Sequence, residues 1–66
     1  MAAFEIIAKL KSPDYLAEVS ALIGRTPDDD RRNDGYMWVT KDVGEANRLH
    51  KILSGCPRVA YVTRFK

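Results

Sequence analysis

With a single cysteine, Cys56, among 66 residues, no internal disulfide can form, and no Cys/His pair stands at a zinc-ligand spacing. Long apolar runs are missing too. None approaches the ~20 residues of a membrane-spanning helix, and the opening Met-Ala-Ala-Phe-Glu has neither the basic end nor the apolar block of an export signal. These absences together lead to the expectation of a reducing, cytoplasmic location. An excess of one charge is also lacking: eleven basic against nine acidic residues give +2, whereas nucleic-acid binders carry larger, clustered excesses. No catalytic, metal-binding or nucleotide-binding motif occurs, so the chain is expected to be non-enzymatic and to hold no metal or cofactor.

What is present is the composition of a folded domain, 45% hydrophobic and 30% charged. Residues 1–66 read as one domain. A chain this short buries only about 60% of its unfolded surface, and small scaffolds compensate with disulfides, a metal or self-association. The first two being excluded, tight packing or a homodimer remains.

Phe4–Leu10 alternates as a strand does, with Phe4, Ile6, Ala8 and Leu10 on a core face and Glu5, Ile7, Lys9 and Lys11 on the other. Ile7 among charges implies that this second face is partly covered. Ser12-Pro13-Asp14 is a helix start, combining a capping hydroxyl, proline at the first helical position and an acid at the positive end of the dipole. The helix is expected over Pro13–Ile23, with Leu16, Val19, Leu22 and Ile23 buried, Tyr15 at the edge, and Gly24 as its left-handed stop. Ala17 and Ala21, one turn apart, read as plain solvent surface.

Residues 25–35 have no aliphatic side chain and cannot be core. They are either a surface loop or, in their first part, a polar edge strand, with a tight turn at Asn33-Asp34-Gly35. Tyr36–Lys41 is aromatic and β-branched, hence a strand. Asp42 and Glu45 form a capping-box pattern for a second helix, which turns Val43, Ala46, Leu49 and Leu53 inward and ends before Gly55. Pro57 blocks continuation, and Arg58–Phe65 is the last strand.

This order predicts an α+β, ferredoxin-like (split βαβ) two-layer sandwich, with two helices on one face of a three- or four-stranded antiparallel sheet and the first strand central. A parallel βαβαβ sheet is the runner-up, disfavoured because the strands alternate instead of running continuously apolar. Gly35 to Phe65 resembles half of a SPOR (peptidoglycan-binding) domain at Glu45-Ala46, Leu49, Leu53, Gly55 and Val62. The family's Gly-Pro-Phe type motif after the strand is missing, as is an export signal, and no function is carried over.

The sheet face away from the helices is the candidate site. If Met37, Val39, Ala60 and Val62 face the helices, then Tyr36, Trp38, Tyr61, Phe65, Val59, Ile7, Lys9 and Lys11 face outward. Contiguous apolar surface of that kind marks a binding site. The alternative turns the aromatics inward and the smaller residues outward. The outward reading makes this a protein-binding module, a regulator or inhibitor that occupies a partner's surface, or a homodimer. The second hypothesis is a single-stranded RNA or DNA binder, with aromatics stacking on bases and Lys9, Lys11 and Arg58 taking phosphates. Glu5 beside the lysines and the missing glycine-and-aromatic strand signature count against it.

Asp28-Asp29-Asp30 does not make a calcium loop, since Arg32 and Lys41 occupy ligand positions. Arg31 and Arg32 suit bidentate contacts to carboxylate or phosphate on a partner. An enzyme using His50 or Tyr61 as acid or base ranks last, because no Ser, Cys or carboxylate is spaced to work with His50. Cys56 reads as an inert thiol with only Arg58 near enough in sequence to lower its pKa.

Overall fold

The computed structural model describes residues 3–30 and 35–65. Four strands and two α-helices follow the expected order: β1 (Phe4–Leu10), α1 (Leu16–Ile23), β2 (Asp29–Asp30), β3 (Tyr36–Thr40), α2 (Val43–Ser54) and β4 (Val59–Phe65). The sheet order is β2-β3-β1-β4, with each neighbouring pair antiparallel. Thus β3 sits between β1 and β2, and β1 between β3 and β4. Two split β-α-β units interleave, as in a ferredoxin-like sandwich, and β1 is central as expected.

A 3₁₀ turn over Pro13–Tyr15 precedes α1, where Ser12 Oγ accepts the Asp14 N–H at 3.2 Å. Gly24 closes α1 in the left-handed region at φ 80°, where a residue with a Cβ is strained. Asp42 caps α2 by accepting the Gly44 N–H at 3.1 Å. Glu45 does not complete the box; its carboxylate is taken by Arg48 and Arg25.

One core lies between the layers. Ile6, Ala8 and Leu10 from β1 meet Val19 and Ile23 from α1, Ala46, Leu49 and Leu53 from α2, and Trp38 and Val59 from the flanking strands. Phe4, Tyr15, Leu16 and Val62 pack around it.

Eight expected orientations are corrected, beginning with Met37 and Val39, which lie on the side of the sheet away from the helices. Trp38 is fully buried, not outward, and Tyr36 packs against the same core. The register pairs Trp38 with Ile6 and Tyr36 with Ala8, and antiparallel partners share a side of the sheet. Val59 is buried and Ala60 exposed, the reverse of strict alternation along β4. Lys9 pairs with Tyr61 and Leu10 with Val59, so a bulge leaves Ala60 without an opposite number. Leu22 and Val43 are 57% and 54% exposed, since Val19 with Ile23 and Ala46 with Leu49 and Leu53 complete narrower stripes.

The polar stretch contributes an edge strand at Asp29–Asp30, paired with Met37 and Tyr36, where loop and strand both stood open. Arg31, Arg32 and the Asn33-Asp34 part of the expected turn lie outside the described residues. Gly35 has φ 101°, and a Cβ there would fall on the Ala8 carbonyl and 3.0 Å from Lys9 Cα. Glycine at that position lets β3 enter the sheet tight against β1.

Candidate functional site

Because directly opposed residues of antiparallel strands lie on one side, the registers place the outer face residue by residue. Asp29, Met37, Ile7 and Thr63 form a row across all four strands. Val39, Glu5 and Phe65 form the next row, and Lys9 with Tyr61 stands on the other flank. Ile7 is 6% exposed although it points away from both helices. Its neighbours cover it: Met37, Val39 and Thr63 are half-buried around it, while Tyr61 and Phe65 stand half in solvent. The face therefore has an apolar centre with Glu5, Asp29 and Lys9 around it.

Ile7, Lys9, Tyr61 and Phe65 are brought together there as the sequence suggests, and Trp38 and Tyr36 are not. The Trp38 indole N–H instead donates to the Arg25 carbonyl at 3.2 Å, which satisfies its polar group inside the core. Lys11 is exposed just beyond the end of β1, where its backbone N–H donates to the Arg58 carbonyl at 3.0 Å. Arg58, expected among the phosphate contacts, lies with the helices: it pairs closely with Glu18 and sits 5.0 Å over the Tyr15 ring. That hydrogen bond to Glu18 and its charge raise the Arg58 pKa further.

Met37 and Val39 stand on this face as in the alternative orientation of the strand, and Thr63, which the sequence did not single out, joins them. A signal for the first two lay in Ile7. An apolar residue on the outer side of the central strand needs apolar neighbours on that side, and in the adjacent strand only the Met37/Val39 set supplies them once the larger aromatics are buried.

The polar stretch after α1 is tied down by Arg25. Its guanidinium donates to the Val39 carbonyl at 2.9 Å, to Asp28 at 3.0 Å and to Glu45 at 3.5 Å. Asp28 in turn accepts the Val39 N–H at 2.7 Å. Its carboxylate thus holds the edge of β3, and no group of His, Cys, Asp or Glu suited to a metal ion occurs among the described residues. Glu45 is held below the usual carboxylate range, first by its hydrogen bond to Arg48. His50 and Cys56 are both partly buried, Cys56 against the core.

A groove of about 690 Å³ runs along α1, lined by Leu16, Ala17, Ser20, Ala21, Arg25 and Pro27 among others. Ala17 and Ala21 are solvent-exposed as expected and form part of its wall, and the buried Ser20 hydroxyl beside it has no hydrogen-bond partner. No helix among the described residues is long and apolar enough to cross a membrane. Compared with protein-family models, curated proteins and solved structures, the chain matches none, the SPOR family included.

Proposed function

We propose that the protein is a non-enzymatic protein-binding module, a regulator or inhibitor that covers a partner's surface with its open sheet face in a reducing, cytoplasmic setting. The observation that carries this reading is the row built on Ile7. Met37, Ile7 and Val39 form an apolar centre on the side away from the helices, and two of the four large hydrophobics most exposed among the described residues, Tyr61 and Phe65, flank it. Exposed aromatics around a desolvated apolar centre are the composition of a docking hot spot. Acidic Glu5 and Asp29 on the same face oppose phosphate contacts, which favours protein over nucleic acid. Arg31 and Arg32, adjoining the edge strand in sequence, extend the proposed contact to acidic groups on the partner.

Capture from cell lysate with and without nuclease tests this, using the native chain, a Tyr61→Ser/Phe65→Ser variant and a Leu22→Ser/Val43→Ser variant as the helix-side control. Proteins retained by the native chain and the control, but lost by the sheet-face variant, are expected. Retention that depends on nucleic acid, or that the helix-side changes abolish, contradicts the proposal.

A further inference from the structure

The two edges of the sheet are treated differently. At the β2 edge the strand is two residues long and acidic, Pro27 stands just before it, and the Asp28 carboxylate occupies the Val39 N–H. Short, charged, proline-flanked edges of this kind resist strand addition. At the β4 edge such devices are confined to the start, where Pro57 stands two residues before the strand and Ala60 is bulged; Tyr61–Phe65, the part centred on Thr63, has no proline and no bulge. Val-Ala-Tyr-Val-Thr-Arg-Phe runs for seven residues with one charge and no proline, its backbone paired on the β1 side only among the described residues. Its lone charged side chain is turned to the helix layer, where Arg64 donates to Asn47 at 2.7 Å and lies 5.3 Å over the Phe4 ring.

We infer that β4 pairs with β4 of a second copy, antiparallel about Thr63, to give a continuous eight-stranded sheet. The self-complementarity comes from the registers. With Thr63 opposite the second copy's Thr63, Tyr61 of each chain faces Phe65 of the other on the open side. Across the new sheet one row reads Met37, Ile7, Thr63, then Thr63, Ile7, Met37 of the second copy. The flanking rows read Glu5, Phe65, then Tyr61 and Lys9 of the second copy, and the same in reverse. Acid and base end up at opposite ends of each aromatic pair, and no like charges meet. Cross-strand aromatic and Thr–Thr pairs are the favourable ones in antiparallel sheets, and a two-fold axis through an antiparallel strand pair is a closed, isologous interface. A foreign peptide strand would fill the same backbone groups but has no such match of rows fixed in advance. The pairing stands independently of what covers the open face.

Sedimentation of the native chain over a concentration range, joined to a cysteine cross-link, tests it. The chain is expected to sediment as a dimer at about 0.1 mM, with a concentration-dependent midpoint of thermal unfolding. Thr63→Lys sets two like charges directly opposite and is expected to raise the dimer dissociation constant about fivefold. Thr63→Cys in a Cys56→Ser background should form a covalent dimer on mild oxidation, and Asp29→Cys in the same background should not. A face-to-face dimer of sheets holds its backbones ~10 Å apart, too far for that disulfide. A monomer across the range, a dimer that fails to cross-link at residue 63, or equal cross-linking at residue 29 would overturn the inference.

Discussion

Trp38 is the largest of the fully buried side chains, and an indole removes roughly 200 Å² from water when it is covered. Truncation to alanine leaves a cavity in the core beneath β3 and an unpaired Arg25 carbonyl. Trp38→Ala is expected to lower unfolding stability by ~3–5 kcal/mol, read from urea denaturation; a loss under ~1 kcal/mol would place the indole outside the core. Glu45 gives a second residue-level test. Its carboxyl titrates lower in the folded chain than in the unfolded one because Arg48 donates to it. A depressed folded-state pKa contributes stability that is complete above the unfolded carboxylate value of roughly 4.3 and is lost as pH falls through the lower folded value. The stability difference between the native chain and Glu45→Gln is therefore expected to shrink on acidification below about pH 4.3. A difference constant from pH 7 to 2 would contradict the assigned pairing.

At the scale of elements, the stretch between α1 and β3 is held by side chains more than by its own ladder. Asp28 takes the Val39 N–H and the Arg25 guanidinium together, so Asp28→Ala is expected to cost about 1 kcal/mol and to speed amide exchange at Val39. Unchanged exchange there would mean that the carboxylate does not guard the edge. These same elements show what sequence could reveal. The start of α2 was legible because Asp42 caps it. Ser12 marked where the chain begins to coil, but as the cap of a 3₁₀ turn, so that α1 begins at Leu16 and not at Pro13. β1 was legible because one of its faces is uniformly apolar. The faces of β3 were not, since a period of two separates Tyr36/Trp38 from Met37/Val39 without saying which set meets the helices. That choice belongs to the register with Ile6. The bulge at Ala60 was equally hidden: it shifts the parity of Val59 against Tyr61, and nothing in Arg58–Phe65 marks one extra residue. Leu22 and Val43 looked buried by periodicity, but short helices on a narrow sheet cover only the stripe directly beneath them.

For the whole molecule, the consequence of burying Trp38 is that its neighbours Met37 and Val39 turn outward and join Ile7. The candidate site thus kept its place, on the open face of the sheet, while two of its aromatic members changed sides. Tyr61 and Phe65 remained because β4 regains its alternation after the bulge. A small sandwich with helices on one layer leaves this face of the sheet without a covering layer, and the proposed function rests on it being covered by a partner protein. The most direct measurement is a methyl and amide NMR footprint of the chain titrated with a protein captured as described above. Shifts concentrated on Ile7, Met37, Val39, Tyr61, Thr63 and Phe65, with Leu22 and Val43 unmoved, are the predicted result. Shifts centred on Leu22, Val43 or the α1 groove, with the open face silent, would contradict the account.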